Sequence, residues 1–225
     1  MKPLNLFPLT VAQDKIIINE KERELLVNEI KGMQSDNHKG IYAWTGDRYG
    51  YEFLFENPLF ENLSKKISDS VIKYLQLLEI NTDQLDIYYQ RSWATYTKTE
   101  QNINFHTHSQ SNISFAYYLL KPEESGGIIF KSNELQNEIA KNIFTSSKLE
   151  KSLIKKANAY NSDKSVFDLE QDSIIIFPSK TPHATMPNKS GQVRISISGD
   201  ITIMLKNSEG FEHLMPNFSN WTKFK

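Results

Sequence analysis

The hydrophobic period of this chain changes near Leu85, and that change constrains the possible fold more than any other feature. Before it, apolar residues recur every three or four positions, the spacing of one helix face. Leu25, Leu26, Ile30 and Met33 predict a stripe on a helix from about Glu20 to Met33, with Asn19 placed to cap its first turn. Asn57-Pro58 opens a second helix, in which Phe60, Leu63, Ile67, Val71, Leu75 and Leu78 recur to about Glu79 while Lys65, Lys66, Asp69 and Lys73 form a solvated face. The Gly- and aromatic-rich stretch from Ile41 to Phe55 between them reads as a loop or irregular strands.

From Leu85 onward the chain reads as strands. Leu85 to Thr97 is crowded with Ile, Tyr, Trp and Thr, which suit a pleated, half-buried surface. Asn112 to Leu120, Ile128 to Lys131, Ser165 to Leu169, Ser173 to Phe177 and Gln192 to Met204 follow, separated by Lys121-Pro122, Gly126-Gly127 and other turn signals. Helices followed by a run of short strands predict an α+β, mostly β architecture. The expected fold is a double-sheet β-barrel or jelly roll, of the double-stranded β-helix type, with supporting N-terminal helices packed outside it. We read 1–225 as one domain, in which 1–83 carries the supporting helices and N-terminal strands, 84–204 the jelly-roll core and 205–225 a tail. Within the core, 132–163 is a polar insertion with a modest helix near Leu149, Leu153 and Ile154, expected to act as a lid or a substrate-facing loop.

Composition narrows the chemistry. With 26 basic and 27 acidic residues and a net charge of -1, no global field draws nucleic acid or an anionic membrane, and neither is an expected partner. Cysteine is absent, so disulfides, thiolate metal ligands and a cysteine nucleophile are excluded. Any metal must sit on histidine, carboxylate or water. No run approaches the roughly 20 apolar residues of a membrane span, and Met1 to Pro8 lacks a signal-peptide core, so a cytoplasmic location is expected. Substrate identity and oligomeric state are not written in these features.

The chain has five histidines, and two of them stand two positions apart in Asn104-Phe105-His106-Thr107-His108. On an extended segment both rings face the same way, so both could reach one ion while Phe105 and Thr107 point elsewhere. His183 follows the apolar strand ending at Phe177, and Pro182 stiffens the backbone before it. It is well placed to be a third ligand, although a loop histidine packed on Pro178 and Pro187 would have the same sequence. His38 and His213 lie in polar or terminal contexts and read as surface residues. In Val193-Arg194-Ile195-Ser196-Ile197-Ser198 the alternation sets Arg194, Ser196 and Ser198 on one face. A buried guanidinium there would need a carboxylate to clamp, and Ser196 could add a donor; the plainer reading is an edge strand with a solvated arginine.

Together these residues resemble the iron(II)- and 2-oxoglutarate-dependent oxygenases, in particular their prolyl-hydroxylase-like branch. The likeness rests on a His-x-His where the family has His-x-Asp, a distal histidine, and the Arg194-x-Ser196 that follows it. Leu6-Phe7-Pro8 brings it closest to an uncharacterised bacterial and phage group of these oxygenases. The resemblance implies metal ligation by His106, His108 and His183, with Arg194 and Ser196 on the co-substrate's far carboxylate. Tyr96, Tyr118 and Ser114 are implied as further co-substrate contacts. The implied activity is oxidative decarboxylation of 2-oxoglutarate to succinate and carbon dioxide, coupled to hydroxylation of an unidentified substrate such as a prolyl or other amino-acid side chain. Arg91, Trp93 and the insertion are expected on the substrate side.

His108 departs from the family, which has a carboxylate at that position. Either three histidines bind the metal, or His108 stands behind and water or Glu100 fills the place. Two other readings stay open: a three-histidine cupin-type dioxygenase without 2-oxoglutarate, and a non-catalytic barrel-fold binding protein.

Overall fold

The computed structural model describes residues 1–34, 40–132, 134–208 and 214–224. His38 and His213, both read as surface residues above, lie outside the described residues.

Two helices carry the N-terminal half. Helix α1 spans Glu20–Met33, and the Asn19 side chain accepts a hydrogen bond from the Glu22 amide, closing the first turn as expected. Its buried stripe differs from expectation: Arg23, Leu26, Val27 and Ile30 face inward, whereas Leu25 is half exposed. Adjacent helical residues point about 100° apart, so Leu25 and Leu26 cannot share a face. Arg23 is buried because its guanidinium grips both Asp172 oxygens, at 3.0 and 2.9 Å, and donates to the Leu119 carbonyl. A 3-10 turn at Pro58–Phe60, capped by Asn57, leads into α2 at Glu61–Leu77. There Phe60, Leu63, Ile67, Val71 and Leu75 are buried as expected, while Leu78 at the C-cap is exposed.

The larger sheet is antiparallel, in the order β1 (Ala12–Lys15), β7 (Ser173–Pro178), β4 (Ile113–Leu120), β9 (Arg194–Leu205), β3 (Leu85–Thr97) and β2 (Trp44–Thr45). The smaller sheet runs β6 (Lys164–Phe167), β5 (Ile128–Lys131), β8 (His183–Thr185). The six expected strands are present with ends shifted by up to two residues. Of three further short ones, β1 and β2 fall in the span expected to hold N-terminal strands, β2 within the stretch read as a loop or irregular strands, and β8 was not read, because two to four residues carry almost no periodic signal. The insertion holds one short helix, α3 at Ser146–Glu150.

The larger sheet is covered on both faces. One face packs Ile174, Ile176, Ile195, Ile197, Phe115 and Tyr117 against the helices. The other packs Tyr118, Ile175 and Phe177 against Ile128 and Phe130 of the smaller sheet. This explains why β7 is an unbroken apolar run rather than an alternating one: alternate residues enter different cores. It is the double-sheet jelly roll expected from the sequence.

One irregularity positions the site. In the pairing of β3 with β9, Tyr89 faces Ile201 and Arg91 faces Asp200, so Gln90 is an extra residue in β3. An extra residue reverses which face the following side chains take. Ile87 and Tyr89 therefore pack toward the helices, while Arg91, Trp93 and Thr95 line the cavity between the sheets.

Candidate metal centre and co-substrate pocket

His106 and His183 are direct cross-strand partners. The His106 amide donates to the His183 carbonyl and the His183 amide to the His106 carbonyl, both at 3.0 Å. Residues paired in this way project their side chains to the same face, about 5.5 Å apart at Cα. His108 joins them two residues on, where its amide donates to the Ser179 carbonyl. The ring centroids lie 4.3 Å (His106 to His183), 4.9 Å (His106 to His108) and 5.2 Å (His108 to His183) apart, and one nitrogen from each falls within 4.8 Å of the others. Glu100 is not part of this cluster.

Each ring has one nitrogen engaged. Nδ1 of His106 lies 2.8 Å from the Asn104 carbonyl and Nδ1 of His183 lies 2.9 Å from that of Thr181. A carbonyl only accepts, so both nitrogens carry the proton and Nε2 keeps its lone pair. Nδ1 of His108 meets Oδ1 of Asp200 at 2.8 Å, which orients its Nε2 in the same way. Burial, reinforced by the neighbouring His106, depresses the His183 pKa to about 3, and burial also lowers that of His106. Neutral imidazoles with three convergent Nε2 atoms suit iron, nickel, zinc or copper, and suit magnesium or calcium poorly. The residues present therefore fit a borderline transition-metal ion.

Asp200 was not identified from the sequence. It is fully buried at the centre of a polar cluster: Oδ1 accepts from His108, Ser111 and Ser114, and Oδ2 accepts from Gln110 and twice from Arg91. Arg91 and Ser114 are its cross-strand neighbours on β3 and β4. Burial pushes its carboxyl upward, but the His108 and Arg91 hydrogen bonds outweigh this and hold it at about 2. Ser114 lines the cavity with its hydroxyl bonded to Asp200 and Ser179. Trp93 stacks on the His108 ring at 5.6 Å and Arg91 lies over Trp93, so both serve the wall behind the histidines.

Arg194 lies in the same cavity and is 1% exposed. Its Nη1 donates to the carbonyls of Ser125 and Gly126 at 2.6 and 2.9 Å. The Ser125-Gly126-Gly127 turn must be side-chain-free there, because Gly126 has φ +78 and a Cβ on it would meet the Pro187 carbonyl at 2.7 Å. No carboxylate pairs with Arg194 among the described residues. Ser196 and the Tyr118 ring line the cavity beside it, and burial raises the Tyr118 phenol to about 12, so it stays a donor. Tyr96 is a correction: it follows cavity-facing Thr95 by one residue, and the pleat turns it to the helix side, where it packs on the main core. The residues that line the cavity do not include any of 134–163.

Residues 91–200 match the family model described as "Putative 2OG-Fe(II) oxygenase". The match spans 110 of the 225 residues and likens this segment to the 2OG-Fe(II) oxygenases. The matched segment begins at Arg91 and ends at Asp200, so it takes in the three histidines, Tyr118 and Arg194. No curated protein matches the sequence. Among solved structures, this chain is similar to HygX from Streptomyces hygroscopicus with nickel, 2-oxoglutarate and hygromycin B bound, at 10% identity and TM-score 0.55 over 86% of this chain and 83% of that one. The epimerase SnoN from nogalamycin biosynthesis gives 9% identity and TM-score 0.55 over 91% and 83%. EvdO2 from Micromonospora carbonacea var. aurantiaca gives 13% and 0.52 over 87% and 86%. At such identities the likeness is one of fold.

Proposed function

We propose that this chain is a 2OG-Fe(II) oxygenase that binds iron through Nε2 of His106, His108 and His183, anchors 2-oxoglutarate on Arg194, and hydroxylates a prolyl or other amino-acid side chain. The observation that carries this reading is Arg194, a guanidinium buried in the cavity of the three histidines without a carboxylate partner among the described residues. An isolated buried charge is costly, and a dicarboxylate reaching from the histidines to Arg194 would remove that cost.

The chain's own work is binding and orientation. The Ser125 and Gly126 carbonyls fix Nη1 of Arg194 and the Thr97 hydroxyl accepts from Nη2 at a long 3.5 Å, so the fork is oriented and still carries N–H donors for the far carboxylate, with Ser196 and Tyr118 beside it as hydroxyl donors. Ile128, Phe177 and Ala116 make the wall apolar and exclude water. Bound at the histidines, iron(II) with 2-oxoglutarate supplies the oxidation by which dioxygen hydroxylates an aliphatic C–H bond while succinate and carbon dioxide leave. The cavity of about 390 Å³ falls within the usual range of small-molecule sites, and Tyr42, Thr45, Asp47, Arg48 and Phe105 also line it, on the side proposed for the substrate.

The test is succinate formation by iron-loaded protein given 2-oxoglutarate, alone and with prolyl peptides and free amino acids. Turnover stimulated by one of these supports the proposal. Tight iron binding with no consumption of 2-oxoglutarate under any condition would favour the three-histidine dioxygenase that does without it.

A further inference from the structure

A divalent cation held by three neutral imidazoles keeps its full double charge, in a site where two of the three rings are buried. The carboxylate in direct contact with one of those rings is Asp200, 2.8 Å from Nδ1 of His108 and fully buried. The two other rings rest their Nδ1 on backbone carbonyls, which carry no net charge. Asp200 is also over-determined in position: strand partners Arg91 and Ser114, together with Ser111 and Gln110, leave its carboxylate no second orientation. A carboxylate that accepts the N–H of a metal-bound histidine sets the ring's tautomer and raises the basicity of the ligating nitrogen.

We propose that Asp200 is a positioning residue for the metal: acting through His108, it locks Nε2 toward the ion and supplies the negative charge that the three-histidine ligand set lacks. The pair His108–Asp200 then works as one anionic ligand, with the charge set back by the width of an imidazole ring. Arg91, which donates twice to the outer oxygen, limits how much of that charge reaches the ion and so tunes the centre from the far side. This inference rests on the reading of the three histidines as metal ligands.

The experiment is cobalt(II) titration of the full chain, read by affinity and by the visible ligand-field spectrum, in the wild type, His183→Ala, Asp200→Asn, His108→Asp and the double variant His108→Asp/Asp200→Asn. His183→Ala must abolish binding; if it does not, the ligand reading itself fails. Asp200→Asn keeps an acceptor for His108 but removes the charge, and should weaken cobalt by about 10- to 100-fold with a shifted spectrum. His108→Asp alone sets two carboxylates against each other and should bind poorly. In the double variant the amide at 200 can donate to the new carboxylate, one charge is restored, and affinity should return to within a few-fold of wild type. Wild-type affinity and spectrum in folded Asp200→Asn, or no recovery in the double variant, would overturn the proposal while leaving the ligand reading intact. Should Asp200→Asn fail to fold, nitrogen NMR of the wild-type protein decides: a His108 ring protonated on Nδ1 supports the proposal, and one protonated on Nε2 overturns it.

Discussion

His106 and His183 face each other across two 3.0 Å backbone hydrogen bonds, although 76 residues separate them in the chain. The metal-binding geometry is therefore built into a strand pairing, and the rings are delivered to one point by the backbone. His183→Ala removes a ligand without disturbing that pairing. We expect it to bind iron(II) or nickel(II) too weakly to detect by calorimetry, while the melting temperature of the metal-free protein changes little.

Arg194→Gln should act on the co-substrate and leave the metal alone. A hydrogen bond to a charged group is worth about 1.5–3 kcal/mol, so the KM for 2-oxoglutarate should rise by roughly one to two orders of magnitude while metal affinity stays near wild type. Steady-state succinate production measures the first and calorimetric titration the second.

The two candidate tyrosines should part company. Tyr118→Phe removes a donor from the cavity, and we expect a several-fold rise in the KM for 2-oxoglutarate. Tyr96→Phe, on the helix side of the sheet, should leave that KM within about two-fold of wild type, because it lies among core side chains. An equal effect of the two substitutions would contradict the assignment of faces.

Acid should destabilise the metal-free protein in two stages. His183 has a folded pKa of about 3 against about 6.5 when unfolded, so the unfolded chain binds the extra proton; stability is complete above about pH 6.5 and falls as pH drops toward 3. Asp200, at about 2 when folded and near 3.9 when unfolded, adds a second loss as pH falls from about 4 toward 2. Denaturant melts between pH 8 and 3 should show the first decline at no more than about 1.4 kcal/mol per pH unit, and His183→Ala should remove much of it.

Arg23 ties α1 to the loop before β7 through Asp172, whose carboxylate also accepts from the Tyr117 hydroxyl at 2.7 Å. Breaking a largely buried pair leaves its partner uncompensated. Arg23→Met should therefore cost about 3–5 kcal/mol of unfolding free energy by urea titration, with a smaller loss in Arg23→Met/Asp172→Leu.

Much of this molecule was legible before any coordinates. The helices at Glu20 and Glu61 and the long strands β3, β4 and β9 follow from hydrophobic period and caps, because these are local properties of consecutive residues. His106, His108, His183 and Arg194 could be singled out because their residue types are rare and their spacing suits one site. What tertiary structure alone decided was the partners and the faces. The extra residue at Gln90 reverses the phase of β3 and so brings Arg91 to Asp200, whereas period-two reasoning within one strand has no means of placing a bulge that only pairing with β9 defines. Tyr96 was placed by the family resemblance alone, whereas the pleat of β3 turns it toward the main core and away from the cavity. Asp200 had no motif to mark it, because its significance lies in the three-dimensional convergence of β3, β4, β9 and the His108 segment on one buried carboxylate.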